Sequence, residues 1–194
     1  FYDTNSGEVL VDGVNVRKRK LSQLRSQIGM ATQDVLLFSD TIDGNIAYGD
    51  SDMSEEDVKH YAKLAAANEF VEKMPDGYET IVGERGVGLS GGQKQRLSLA
   101  RALAIKPAIL ILDDTTSAVD METEKYIQDS LRNLDFPCTK IIIAQRISST
   151  KDADMIIILD DGKITEMGTH DELMKNCDVY KEIALSQLSA AELA

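Results

Sequence analysis

Three unbroken aliphatic runs decide most of what this 194-residue chain can fold into: "AILILD" (108–113), "TKIIIAQ" (139–145) and "DMIIILD" (154–160). A strand with one face in water alternates apolar and polar residues. A run without polar interruption has to be covered on both faces, which is the condition of parallel strands in an α/β layer. "METEKYIQDSLRNL" after the first run and "HDELMKNCDVYKEIALSQL" after the last have helical spacing of their apolar residues. The alternation predicts an α/β fold, a mostly parallel sheet flanked by helices. None of the runs is long enough to cross a bilayer as a helix.

Ahead of these runs, "GEVLVDGVNV" (7–16) alternates with period two around Gly13, the pattern of a hairpin. A short helix, "KLSQLRSQ", leads into a strand, "IGMAT", that ends at Gln33. Ser54 and Asp57 resemble a capping box, and "EEDVKHYAKLAAANEFVEKM" (55–74) keeps helical spacing until "PDG" stops it. Residues 43–89 therefore read as a helical lobe inserted between an N-terminal part (1–42) and a C-terminal part (90–194). Gly83, Gly86, Gly88, Gly91 and Gly92 form a glycine-dense loop that runs into a helix ending near Pro107. The text opens at Phe1 in mid-pattern, so the chain is expected to be a piece of a longer one.

Two stretches carry chemistry. "ILILDDTTSAVD" (109–120) delivers two adjacent carboxylates, Asp113 and Asp114, to the end of a buried strand. That suits magnesium beside phosphate, although adjacent aspartates also serve as a plain polar turn. In "LSGGQKQR" (89–96), Ser90 and Gln93 stand in the S-x-x-Q relation of a capping box, so Ser90 opens a helix. Its unpaired N–H groups and positive dipole end suit an anion, and Gly91 and Gly92 permit close approach.

Other features are bland. A formal net charge of −12 argues against nucleic acid or anionic lipid as a partner, and "RKRK" (17–20) reads as a solvated turn. Cys138 and Cys177 lack metal-ligand spacing and read as idle thiols in a reducing compartment. His60 and His170 read as exposed helix-face residues, with Thr169 opening a further capping box in "THDE".

"LSGGQKQRLSLARAL" resembles the signature motif of ATP-binding cassette (ABC) proteins, and its neighbours resemble the rest of that cassette in order. Gln33 matches the Q-loop, "VGERGVG" (82–88) the loop before the signature in ABC exporters, and "ILILDD" the Walker B strand. "SAVD" (117–120) matches the D-loop, and "IIIAQR" (141–146) falls where the switch-histidine loop belongs. The resemblance covers about Phe1 to Leu188 and implies two cassettes, head to tail, with ATP between them. By that resemblance Ser90, Gly91, Gly92 and Gln93 contact the γ-phosphate of an ATP held mainly by the partner. Asp113 holds Mg2+ through its water shell, Gln33 senses Mg2+ and the γ-phosphate, and Asp120 couples the two sites. Glu84, Arg85 and residues near Phe38 touch a membrane-spanning domain on the cytoplasmic face of the membrane.

Three departures qualify the match. No G-x-x-x-x-G-K-[ST] loop (Walker A) occurs in these residues, so the amides and lysine that neutralise the β- and γ-phosphates are not among them. The family places that loop and its strand just before Phe1, inside the sheet between "TKIIIAQ" and "DMIIILD". The sheet is therefore expected to be incomplete, with an apolar slot, and this stretch by itself inactive as an ATPase. The family's catalytic glutamate is replaced by Asp114, whose carboxylate is retracted by about 1.5 Å; misplacement of about 1 Å can cost on the order of a hundredfold in rate. The switch position holds Gln145, which can donate to phosphate but cannot shuttle a proton.

The losses fall on one side. Asp114 and Gln145 serve the site formed with this chain's own phosphate loop, and the intact signature serves the opposite one. The sequence therefore predicts the degenerate half of a heterodimeric ABC exporter, whose partner is a non-identical chain with the glutamate and the histidine. The alternatives are a non-hydrolysing regulatory module and an ABC ATPase unconnected with transport; the acidic charge and the "GERG" loop argue against the latter.

Overall fold

The first hairpin closes on Asp12 and Gly13, whose φ values of 49° and 72° are both positive, as a type I′ turn requires. It joins β1 (Leu10–Val11) to β2 (Val14–Asn15), antiparallel. The computed structural model describes residues 2–83 and 88–187 of the protein. They fall in two compact units, Phe1–Ile141 and Ile142–Ala194.

In the first unit, α1 (Leu21–Arg25) leads into β3 (Ile28–Ala31). β4 (Asp40–Thr41) and α2 (Ile42–Ile46) follow, the Thr41 hydroxyl accepting from the Gly44 amide at 2.9 Å. α2 buries Ile42, Ile46 and the amide of Asn45.

The long run 55–74 is not one helix. It divides into α3 (Glu55–Leu64) and α4 (Asn68–Glu72), because Ala66 takes a left-handed φ of 54°. The Ala66 amide donates to Lys63 (2.9 Å) and the Ala67 amide to Ala62 (2.7 Å), the paired bonds of a Schellman motif with alanine in the position glycine usually fills. The tertiary reason is Arg96, whose Nη1 donates to the Ala66 carbonyl at 2.7 Å while its guanidinium lies 4.7 Å from the Phe70 ring centre. Capping by Ser54 is as the sequence foretold, its hydroxyl accepting from the Asp57 amide. β5 (Ile81–Val82) then pairs antiparallel with β4, so the two ends of the helical segment meet.

α5 (Gly91–Ala104) packs against α2, α3 and β3, burying Leu97, Leu99, Ala100 and Leu103. It stops three residues before Pro107. β6 (Ile109–Asp113) pairs with β3 in parallel, Ile28 opposite Ile109 through Ala31 opposite Leu112. α6 (Met121–Arg132) buries Ile127 and Leu131, and β7 (Thr139–Ile143) completes a sheet of order β3-β6-β7. The α/β architecture is as expected.

The second unit corrects two readings. β8 (Ile156–Asp160) is not a parallel strand: it pairs antiparallel with β9 (Lys163–Gly168) across Asp161-Gly162, another turn with both φ positive (46° and 73°). β9 was legible in "DDGKITEM", because Asp-Gly between β-prone residues is the strongest short hairpin signal. Nor is the hairpin covered on both faces, since Ile157, Leu159, Ile164 and Met167 are all at least half exposed. Among the described residues β8 pairs only with β9 and β7 ends its sheet, so the sheet is incomplete, as the resemblance implied.

The last helical segment is also two helices, α7 (His170–Asn176) and α8 (Asp178–Gln187), parted by an extended Cys177. Thr169 and Glu172 form the expected capping box. Ile147, Ile156, Leu173, Cys177, Tyr180 and Ala184 make one buried cluster.

Candidate functional site

The parallel pairing of β3 and β6 sets the site. With Ala31 opposite Leu112, the residues that leave the strands, Gln33 on one and Asp113 and Asp114 on the other, emerge at the same carboxyl edge of the sheet. Ligands of open α/β sheets bind at that edge. Gln33 is exposed, and Asp113 and Asp114 are half-buried.

Asp114 ends the strand with a left-handed φ of 50°. Its carbonyl accepts from the Ser117 hydroxyl at 2.9 Å and from the Gln95 side-chain amide at 3.3 Å. Aspartate and asparagine enter this region more readily than other side chains, so the backbone supplies a second reason for aspartate at 114. The side chains of Asp113 and Asp114 have no hydrogen-bond partner among the described residues, which leaves both carboxylates open to a ligand.

Gln95 is the residue sequence reasoning missed. It is 6% exposed, one turn into α5, and its amide makes three bonds to the loop after β6. Nε2 donates to the Asp114 carbonyl and to Ser117 Oγ (3.1 Å), while Oε1 accepts from the Ala118 amide at 3.0 Å. It thereby ties the start of α5 to the end of β6. The signal was present: an amide on the apolar stripe of α5 that also carries Leu99 and Leu103.

At the head of α5 the expected capping box is formed. Ser90 Oγ accepts from the Gln93 amide (3.3 Å), and Gln93 Oε1 accepts from the Ser90 amide (2.9 Å). The two glycines differ. Gly91 is exposed, and a Cβ there would lie an ordinary 3.5 Å from Ala118. Gly92 is buried, and a Cβ there would stand 2.6 Å from the Ala118 carbonyl oxygen. The first glycine thus keeps the helix end open, and the second admits the loop that carries Ser117 to Asp120.

Asp120 turns out to be the N-cap of α6. Its carboxylate accepts from the Thr123 amide (2.9 Å) and the Thr123 hydroxyl (2.8 Å), bonds that hold it below the usual carboxylate range. Arg96 faces it across a cleft of about 550 Å3 that Lys63, Glu69 and Tyr126 also line. Burial pulls the Arg96 guanidinium below its ordinary value, against the opposing pull of Asp120 and Glu69. Gln33, Ser90, Asp113 and Asp114 do not line that cleft.

Beyond Gln33, the chain is fixed by Asn45, whose side chain accepts from the Phe38 amide (2.9 Å) and donates to the Phe38 carbonyl (3.0 Å). The Phe38 ring stacks on Tyr48, centres 4.1 Å apart, with the Arg101 guanidinium 5.3 Å from the Phe38 centre. Arg101 donates to the Leu36 carbonyl at 2.7 Å, and its other terminal nitrogen, Nη1, is buried with no partner among the described residues. Tyr48, 62% exposed, was not singled out in the sequence. Glu84 and Arg85 lie outside the described residues.

In the second unit, Gln145 is exposed in the bend after β7. The histidines are structural. His60 Nε2 lies 3.9 Å from the Asp135 carboxylate at the surface, as its exposed reading allows. His170 is instead half-buried, its Nδ1 2.8 Å from the Tyr180 hydroxyl. No group of three or more metal-ligating side chains occurs among the described residues, and no described helix is long and apolar enough to cross a membrane.

The profile of the ABC transporter family matches residues 1–117. The chain is 49% identical over 183 residues to a putative multidrug export ATP-binding/permease protein of Bacillus subtilis, covering 94% of this chain and 32% of that one. It is 47% identical over 184 residues to an ATP-dependent lipid A-core flippase of Photobacterium profundum, again covering 94% and 32%. A solved structure of a bacterial Atm1-family ABC exporter with ATP bound superposes with a TM-score of 0.91 at 42% identity, over 95% of this chain and 33% of that one. The chain thus spans about a third of the length of each of these three relatives.

Proposed function

The chain belongs to the ABC transporter family, and from that premise we propose that it is the ATP-binding cassette of an exporter in which ATP binding and hydrolysis drive a substrate across a membrane. The observation that carries the reading is the junction at Gln95. One buried amide holds a capped, glycine-opened helix end against the strand end that bears Asp113 and Asp114. Anion binding and cation binding are thereby built on a single rigid support.

The residues fit Mg2+ and ATP. Magnesium takes one or two carboxylates and keeps its remaining waters beside phosphate oxygens, so Asp113 suffices as its protein contact, with Gln33 beside it on the same sheet edge. Bound there, the ion supplies neutralisation of the charge on the phosphates. The head of α5, with Ser90, Gly91, Gly92 and Gln93, offers amides and a dipole to the γ-phosphate of an ATP held mainly by a second cassette. Asp120 lies at the end of the segment that Gly92 admits against α5, which suits a role in coupling the two sites. The stacked pair of half-buried Phe38 and exposed Tyr48, beside an arginine whose Nη1 is buried with no partner among the described residues, suits the docking of a membrane-spanning domain. Glu84 and Arg85 are assigned to the same contact. The cassette then sits at the cytoplasmic face of the membrane.

The site beside Asp114 and Gln145 is assigned as the degenerate one of a pair, the partner being a non-identical cassette with an intact glutamate and histidine. A non-hydrolysing regulatory module is the second reading, favoured by the same two residues. ATP turnover, measured with a phosphate loop restored upstream of Phe1 and with Asp114→Glu and Gln145→His together, separates them. A rise of tenfold or more, on the order that side-chain misplacement costs, is expected of the degenerate site. Unchanged turnover with intact ATP binding supports the regulatory module, and loss of ATP-dependent pairing on Ser90→Arg is expected under both. Pairing that survives Ser90→Arg would overturn the assignment of α5.

A further inference from the structure

The switch-position residue Gln145 sits in a bend outside any regular element, yet its main chain is gripped from one side. Arg146 is extended, with φ −100° and ψ 131°. An extended residue turns the carbonyl before it and the amide after it to the same side, as in a strand. Both groups meet one side chain: Gln187 Nε2 donates to the Gln145 carbonyl at 3.1 Å, and Gln187 Oε1 accepts from the Ile147 amide at 2.9 Å. A primary amide has its donor and acceptor on one planar edge, so it pairs with such a main-chain segment as a neighbouring strand would. The Ile147 amide also opens the 3-10 turn Ile147–Ser149, whose N-cap residue, Arg146, makes no side-chain cap bond. Gln187 satisfies an N–H that the turn itself leaves unpaired.

The clamp belongs to the packing of α8. Tyr180, Ala184 and Gln187 stand at i, i+4 and i+7, one face of the helix. Tyr180 and Ala184 pack in the buried cluster that contains Ile147, and Gln187 continues the same face one turn further. The apolar stripe fixes where α8 lies, and the amide at its end converts that position into a position for residue 145.

We propose that Gln187 is a positioning residue, through which helix α8 holds the switch segment, and residue 145 with it, in place for the nucleotide reaction. This rests on the ATPase reading for its consequence, although the clamp itself does not. Two variants of the full chain test it. Gln187→Leu keeps the volume and removes both hydrogen bonds. Gln187→Glu keeps the acceptor for Ile147 and loses the donor to Gln145.

Hydrogen exchange at the Ile147 amide should accelerate several-fold in Gln187→Leu and stay protected in Gln187→Glu. In ATPase assays with a phosphate loop restored upstream and Asp114→Glu and Gln145→His in place, so that this site turns over, kcat per folded molecule should fall in Gln187→Leu with KM for ATP unchanged, and Gln187→Glu should recover part of the loss. Unchanged exchange at Ile147 in Gln187→Leu overturns the clamp. Faster exchange with wild-type kcat overturns the positioning role. If the protein with its phosphate loop restored neither binds nor hydrolyses ATP, the function proposed above fails, whereas the exchange measurement still decides whether Gln187 holds the segment.

Discussion

Adjacent glycines in one motif are expected to answer the same substitution with opposite signs. Gly92→Ala places a Cβ 2.6 Å from the Ala118 carbonyl oxygen and 3.3 Å from a Val119 methyl. The first contact is backbone, so no rotamer change relieves it; either the start of α5 or the loop after β6 has to move. Overpacking of this kind costs about 1–3 kcal/mol, and alanine's better helix propensity returns less than about 1 kcal/mol so close to the helix end. The net expectation is a loss of about 1–2 kcal/mol, or a fall of ~3–6 °C in melting temperature for a chain of this size. Gly91→Ala meets only an ordinary 3.5 Å contact and gains helix propensity, so its stability should be unchanged or slightly raised. Function should sort the other way: Gly91→Ala, although stable, narrows the open helix end and should weaken ATP-dependent pairing of cassettes. Thermal or urea melts of the two variants beside a pairing assay decide the matter. Equal melting temperatures would refute the reasoning that Gly92 exists to admit the loop.

Two further expectations come from the helical segment. Ala66→Gly removes a side chain from a left-handed position and should stabilise the protein by about 0.5–1 kcal/mol, seen as a shifted urea midpoint; a destabilised variant would show that the Schellman turn is not strained. Burial, with the charges of Glu72 and Asp43, raises the Tyr78 hydroxyl from 10.0 to about 12. Because the folded value lies above the unfolded one, its contribution to stability is complete below pH 10 and is lost as pH rises towards about 12. Phenolate absorbance should place one tyrosine near the upper value, and Tyr78→Phe should remove both that titration and the bond to Asn68.

Helix caps and tight turns were legible because they depend on a few neighbouring residues: Ser90 with Gln93, Thr169 with Glu172, Asp12 with Gly13. The Asp161-Gly162 turn obeyed the same local rule and was passed over in favour of the aliphatic run before it. The placement of Gln33, Asp113 and Asp114 at strand ends and of Ser90 at a helix start was likewise readable. The break at Ala66 was not, since alanine favours continuing a helix and only the grip of Arg96, thirty residues on, makes the turn worth forming.

Local chemistry therefore settled, from sequence alone, the order of most strands and helices and where several of them start. Tertiary structure decided the rest. It made Gly92 a packing glycine, gave Asp114 its left-handed backbone, and drew Gln95 and Gln187 out of anonymity. The reason is one of range. A cap or a turn is a contact between neighbours in the chain, whereas the bonds of Gln95 and Gln187 reach across 19 to 42 residues. No periodicity records which distant carbonyl a buried amide will find.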